Sequence, residues 1–334
     1  MSFVVDVHTH VVPSHIPAYA AGGKLWPSIA VEGDDASVMI DNRVFRRIDS
    51  RCWNVARRLD DMRGDGVDVQ VLSPMPELLS HWFDPDAGEA LGEIINDDIA
   101  RMIAAAPGRF YGVGMVCMQD VARALRQIER IKALGFRGFE IGTHINGAPL
   151  GAERLWPIYE AAQALDMIVF VHPLHPAGVE RIGAGGEYAA VATFPLETAL
   201  AAVSLLAHGV MERYPNLRVL LSHGGGALPW ILPRLDQGYG ISAAMQRAMR
   251  ENPSAIARRF WYDTIVYSES ALRFMAQEAG EDHIVVGSDY PFTIKQDKPG
   301  LFASRALGAD SPCLAANAEG LLAAKFGAAA TEPP

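Results

Sequence analysis

What most constrains this chain is a set of short apolar runs, each ending on a residue able to hold a metal or move a proton. Val4-Val5-Asp6-Val7-His8-Thr9-His10 is a β-branched run closing on two histidines two residues apart, a spacing that points both imidazoles to one side of a strand. Ile168-Val-Phe-Val171 ends at His172, Val219-Leu-Leu-Ser222 at His223, and Ile284-Val-Val-Gly-Ser288 at Asp289. Alone, His-x-His fits a pair of surface histidines as well as half a metal site. Ligand types at the carboxyl ends of several buried strands are how a (β/α)8 barrel builds an active site.

The rest of the chain alternates in the same way. Further strands are expected at Val67–Leu72, Tyr111–Met115, Gly138–Ile141 and Phe260–Asp263, with helical segments between them over about 57–64, 87–106, 120–134 and 153–165. Pro195 opens another helix, as proline favours at a first helical position. Eight such units predict a single α/β domain over residues 1–334, a (β/α)8 barrel. Residues 11–54, rich in Pro, Gly and Asp, read as an insertion over the barrel mouth carrying a small β-hairpin at 37–40 and 44–46. Pro173 to Ala192 reads as a mobile cover, and Ala328 to Pro334 as a frayed tail.

Composition removes several classes of function. With 334 residues, half of them hydrophobic, and a net charge of -10, the chain has a substantial core and no basic surplus for nucleic acid or an anionic membrane. An anionic substrate would need local arginines. Cys52, Cys117 and Cys313 are scattered, so a metal must be held by His and carboxylate rather than by thiolates. The apolar stretch around Leu196 to Val210 is interrupted by Glu197 and His208 and reads as too short to span a bilayer. The beginning of the chain lacks the pattern of a signal peptide, and the expected location is cytoplasmic. No Gly-x-Gly-x-x-Gly follows a strand, and Gly224-Gly225-Gly226 lacks the Lys-Ser/Thr of a phosphate loop.

His8, His10, His172 and Asp289 together would give three nitrogens and one oxygen, the shell of a catalytic zinc with an open position. Singly, His172 before Pro173 could cap a strand and Asp289 could cap a helix; four such coincidences at strand ends are harder to accept. His223, followed by three glycines that let a substrate approach closely, is assigned to proton transfer.

The motifs Asp6-Val-His8-Thr-His10, Val171-His172-Pro173, Ser222-His223-Gly-Gly-Gly226 and Gly287-Ser-Asp289-Tyr-Pro291 resemble the decarboxylase branch of the amidohydrolase superfamily over nearly the whole chain. The resemblance implies one divalent metal per chain, usually zinc with manganese the alternative, on His8, His10, His172 and Asp289, and His223 as the acid/base. It implies that Arg46, in Phe45-Arg46, binds a substrate carboxylate and that Phe292 packs against the substrate. Arg234 matches an arginine that in the family reaches the neighbouring subunit's active site, and the apolar run Leu228-Pro-Trp-Ile-Leu-Pro233 beside it reads as the kind of surface a homodimer buries, so a homodimer is expected. The implied reaction is non-oxidative decarboxylation of a small unsaturated or aromatic carboxylate, with an aminocarboxymuconate semialdehyde as first substrate. Where many amidohydrolases carry a lysine bridging two metals, Glu140-Ile-Gly-Thr-His144 offers none, which suggests one metal. The segment Ala189-Ala-Val-Ala-Thr-Phe194 departs from the family's tryptophan-containing run, leaving the substrate open. His81, His144, His175 and Tyr188 read as loop residues before pocket residues. A hydrolase or hydratase of the same superfamily, and a barrel that binds without turnover, are the competing functions.

Overall fold

The computed structural model describes residues 3–19, 25–183 and 188–326. Eight parallel strands form one sheet whose spatial order is the chain order. They are β1 (Val5–Val11), β2 (Val69–Pro74), β3 (Phe110–Met115), β4 (Gly138–Gly142), β5 (Ile168–His172), β6 (Arg218–Leu221), β7 (Trp261–Asp263) and β8 (Ile284–Val285). The sheet closes on itself where the Val7 amide donates to Val286 O at 2.8 Å and the His10 amide to Tyr290 O at 2.7 Å. The (β/α)8 barrel expected from the strand count is the fold observed.

Residues that are apolar at every second strand position meet inside the barrel. Val5, Val7, Val69, Val71, Val113, Ile168, Phe170, Leu220 and Val285 form this inner cluster, each such side chain contributing roughly 1.5–3 kcal/mol by leaving water. A larger outer layer packs the other strand faces against the helices. The barrel helices are α1 (Val55–Asp65), α2 (Pro85–Ala105), α3 (Val121–Ala133), α4 (Trp156–Ala164), α5 (Phe194–Ala207), α6 (Leu228–Ile241), α7 (Glu269–Ala279) and α8 (Pro299–Leu307). Their starts are local chemistry. Asn54, Asp84, Asp120 and Ser268 each precede a helix and accept a hydrogen bond from the amide three residues on, a cap that contributes about 1 kcal/mol.

Three expectations need correction. The region after β1 holds three antiparallel strands, Ser28–Glu32, Asp35–Ile40 and Arg43–Asp49, in place of a two-stranded hairpin. The second turn places Asp41 and Asn42 both at positive φ, as a two-residue hairpin loop demands. Ser28–Glu32 is an edge strand without a buried face, so no hydrophobic alternation marks it. Second, Ala190–Ala207 is a continuous helical stretch long and apolar enough to cross a membrane. It is nevertheless a barrel helix: Ala199, Ala202, Leu205 and Leu206 are buried in the outer layer, and the buried Glu197 accepts a hydrogen bond from the Ala177 amide at 3.0 Å. Third, the run Leu228-Pro-Trp-Ile-Leu-Pro233 is not one apolar surface, because Leu228, Pro229 and Leu232 turn into the core. The expected mobile cover includes residues 184–187, and the expected frayed tail spans 328–334; both lie outside the described residues.

Candidate metal centre

Val5 and Val7 point into the barrel, and simple alternation would send Thr9 after them, leaving His8 and His10 facing the helices. A register shift between Asp6 and Thr9 prevents this. Asp6 pairs with Gln70 but Thr9 with Leu72, so one extra residue is accommodated on β1 and the inward phase moves to His8 and His10, as a bulge does. The His8 ring then lies against Phe170 and His172 inside the barrel. Thr9 turns outward, where its hydroxyl donates to Val71 O at 2.6 Å and the buried Arg58 of α1 donates to it at 3.2 Å.

The tautomers of the three imidazoles follow from what their Nδ1 atoms face. His8 Nδ1 lies 2.6 Å from the Asp263 carboxylate, His10 Nδ1 lies 2.8 Å from Pro74 O, and His172 Nδ1 lies 3.0 Å from Pro173 O. Acceptors at all three positions place the proton on Nδ1 and turn a lone pair outward from each Nε2. His8 Nε2 and His10 Nε2 lie 2.9 Å apart, and Asp289 Oδ1 is 3.3 Å from His10 Nε2 and 3.6 Å from His8 Nε2. His172 Nε2 and Asp289 Oδ1 are buried with no hydrogen-bond partner. The four ligand atoms all lie within 4.8 Å of one another.

Three lone pairs and a carboxylate oxygen directed at one buried point repel unless a cation joins them. The spacing suits a cation bonded to each at about 2.0–2.2 Å. Electrostatics agree. Burial works against a charged His10, yet the Asp289 and Glu140 carboxylates raise its pKa above the ordinary value. Burial likewise opposes ionisation of Asp289, but the neighbouring His10 and His8 imidazoles hold its pKa below the usual carboxylate range. The residues present fit a mononuclear divalent metal.

Asp263, at the end of β7, organises the next layer, and the sequence reading does not single it out. Its Oδ2 takes His8 Nδ1 and also the His223 amide at 2.9 Å, and its Oδ1 takes the amides of Gly224 at 2.8 Å and Ile265 at 3.0 Å. One carboxylate thus ties a metal-site histidine to the turn bearing the candidate acid/base. Trp261-Tyr-Asp263 is itself an apolar run ending on a ligand type, so the signal is there. Gly287 makes the approach possible: a Cβ there would come within 2.9 Å of Asp263 Cβ and 3.0 Å of His8 Cβ. His223 stands at φ 55, a left-handed conformation that costs a non-glycine residue about 1–3 kcal/mol and is often stored at functional sites. Its ring lies 5.0 Å from that of His172 and 5.4 Å from that of His8. Desolvation and the neighbouring His8 push its pKa down to about 4, against the pull of Asp289 and Asp263, so it is neutral at pH 7.

Above these residues opens a cavity of about 500 Å³, lined by His172, His223 and Asp289 below and by Arg46, Glu77, Val191, Phe194, Tyr267 and Phe292 around the sides. Phe292 stacks on the His10 ring at 5.1 Å, and the Arg46 guanidinium lies over the Phe292 ring, 4.1 Å from its centroid. Arg46 Nη1 also donates to Glu77 Oε1 at 2.6 Å. Glu77 is absent from the sequence-derived set; it sits on a short turn, Pro76–Leu79, with no periodicity to mark it.

Arg234 is exposed on α6 and does not line the cavity. His81, His144, His175 and Tyr188 do not line it either. The His81 ring takes the Gly142 amide at 3.0 Å, and His144 contacts His175 O and the Gly147 amide. Glu140, on β4, is fully buried, and burial pushes its pKa up to about 8.

The sequence matches the amidohydrolase family over residues 5–323. It is 35% identical over 308 residues to the 2-amino-3-carboxymuconate-6-semialdehyde decarboxylase of Dictyostelium discoideum, covering 90% of this chain and 84% of that protein. To the gamma-resorcylate decarboxylase of a Polaromonas strain it is 28% identical over 283 residues, covering 77% and 83%. Among solved structures, 5-carboxyvanillate decarboxylase from Sphingomonas paucimobilis superposes with a TM-score of 0.75 at 30% identity, over 83% of this chain and 85% of that one. A dihydroxybenzoic acid decarboxylase from Polaromonas, solved with bound manganese, shares the fold with a TM-score of 0.77 at 23% identity, over 97% of each chain.

Proposed function

The chain belongs to the amidohydrolase family, and from that membership we infer that it is a metal-dependent, non-oxidative decarboxylase of a small unsaturated or aromatic carboxylate. The observation that carries the reading is the convergence of three imidazole lone pairs and Asp289 beneath a cavity that a neutral histidine also lines. A divalent cation on His8, His10, His172 and Asp289 would supply Lewis-acid stabilisation of negative charge on a substrate oxygen. In the carbon–carbon cleavage the bonding electrons stay on the ring or chain carbon as CO2 leaves. His223, neutral at pH 7, takes up the one proton the reaction consumes from solvent and delivers it to that carbon. Arg46 holds a second substrate carboxylate through its donors, and Phe292 lies along the flat substrate face.

The relatives that decarboxylate an aminocarboxymuconate semialdehyde make that compound the first substrate to test, and zinc is the first metal, with manganese second. Release of CO2 from a panel of carboxylated muconates and hydroxybenzoates by metal-loaded protein tests the reaction. Turnover of esters or amides without CO2 would overturn it. The same reading takes the enzyme to be cytoplasmic, with neither nucleic acid nor membrane as partner.

The assembly is a homodimer in which Arg234 completes the other chain's carboxylate pocket. Its support is placement: Arg234 is exposed and away from its own cavity, and Trp230, one helical turn before it, is 76% exposed. An aromatic left that open on an ordered helix suits burial against a second copy. Mixing inactive His223→Ala protein with inactive Arg234→Ala protein is expected to restore partial activity. No recovery after demonstrated subunit exchange would refute the contribution in trans.

A further inference from the structure

We propose that Arg58, fully buried in α1, is a positioning residue for the metal: it holds the bulged end of β1 and the Asp289 turn in place, so that His8, His10 and Asp289 converge on one point. The proposal rests on the reading of these side chains as metal ligands and adds what keeps them aligned.

The guanidinium reaches three segments around the site. Its Nη2 donates to His10 O at 2.5 Å and its Nη1 to Thr9 Oγ1 at 3.2 Å. The Thr9 hydroxyl has its own hydrogen committed to Val71 O on β2, so guanidinium, hydroxyl and neighbouring strand form one directed chain behind the two histidines. The Nε donates to Arg51 O at 3.3 Å, in the turn that follows the inserted sheet. The guanidinium carbon lies 4.7 Å from the centroid of the Tyr290 ring. Tyr290 follows Asp289; its carbonyl accepts from the His10 amide at 2.7 Å, and its hydroxyl donates to Asp61, one turn beyond Arg58 on α1. Serving three separate acceptors while lying over an aromatic face suits a planar guanidinium and not an ammonium group.

Nothing in α1 itself asks for an arginine here. The position faces the core together with Met62, a place for an apolar side chain, and a cation in the first turn runs against the helix dipole. Among the described residues no carboxylate forms an ion pair with it. Taking an unpaired cation out of water costs several kcal/mol, and replacing a buried charge by an apolar side chain of similar volume is often neutral or stabilising. What the arginine supplies is therefore geometry. A bulge interrupts the ladder bonds that would otherwise fix a strand, and bond lengths at a metal tolerate deviations of only about 0.2 Å. Arg58 opposes a return to the plain alternation that would turn His8 and His10 toward the helices.

Arg58→Met keeps an apolar stem and removes the guanidinium. In folded variant protein, selected by circular dichroism, zinc affinity measured by competition with a chelator should fall about 10–100-fold. The visible spectrum of the cobalt-loaded variant should differ from that of the wild type, since it reports ligand geometry. In metal-free protein, hydrogen exchange should quicken in peptides covering residues 5–12 and 286–292 and stay as in the wild type in those covering 168–172 and 218–221; a general loss of stability would quicken it throughout. Zinc affinity within about threefold of wild type, or exchange at the first two segments that rises no more than elsewhere, overturns the proposal. If Arg58→Met does not fold, Thr9→Val carries the test, because it removes one link of the chain and leaves the guanidinium in place. Zinc should then bind roughly three- to tenfold more weakly, and an affinity equal to wild type overturns the proposal. A wild-type protein that binds no divalent metal would sink the reading of the site instead, and exchange in the metal-free protein still judges Arg58.

Discussion

At the floor of the cavity, His8 and His10 are wholly buried, His172 is 3% exposed, and each has its Nδ1 set against an acceptor from the barrel itself. Along the wall, Phe45 is 48% exposed, and its neighbour Arg46 reaches in from a small sheet inserted between β1 and α1. The floor is made by strand ends, whose backbone is held by the sheet and whose imidazoles are buried and hydrogen-bonded. The wall is made by the insertion and by loops, which pack on the barrel through fewer buried side chains. A barrel built this way keeps its chemistry in the first set and changes its substrate through the second.

Four substitutions put the contrast between floor and wall to the test. The largest effect is expected at the floor: His172→Ala should leave the folded protein unable to retain a metal through dialysis, with turnover below detection. Elemental analysis and circular dichroism check this, and retention of one full equivalent would mean His172 is not a ligand. Next, His223→Ala should keep its metal and lose roughly a hundred- to ten-thousand-fold in rate. Were it to lose the metal while folded, His223 would belong to the ligand set and the division between holding the metal and moving the proton would be wrong.

Asp263→Asn probes the layer below. An amide can accept from the backbone amides but is a poorer partner for His8 Nδ1 than the carboxylate that now holds it at 2.6 Å. Metal affinity or rate should fall about 10–100-fold, read by competition with a chelator; an unchanged affinity and rate would show that the bond orients nothing. The smallest effect is expected on the wall's outer side. Phe45→Ser, next to Arg46 but pointing to solvent, should leave kcat/KM within about twofold and stability within about 0.5 kcal/mol. A tenfold loss there would show that the insertion acts as a unit with the floor.

Much of the floor is legible in the amino-acid sequence, because a β-branched run that stops on His or Asp reports a strand end, and strand ends of a parallel barrel lie together. His8, His10, His172, His223 and Asp289 each follow from that rule, and the barrel brings all five to one place. Asp263 obeys the same rule and escapes it only because Trp261-Tyr-Asp263 is short. The walls are less legible. Arg46 and Phe292 are reached through family motifs, and Glu77 through neither motif nor period, since a turn residue carries no repeat that projects its side chain onto a known face.

Local sequence is enough to specify the alternation of strands and helices, the helix caps at Asn54, Asp84, Asp120 and Ser268, and the kinds of atom available for a metal. These depend on side-chain chemistry over a few residues, which a sequence displays directly. Closure of the barrel was needed for the rest: a bulge after Asp6 turns His8 and His10 into the barrel while Thr9 faces α1. Closure also joins His8 to the His223 turn through Asp263, across residues distant in the chain, and makes Leu228 and Leu232 core while Trp230 is surface. Register, long-range pairing and the facing of a helix are settled by the whole sheet, where every strand constrains its neighbours, and no short stretch of sequence carries that information.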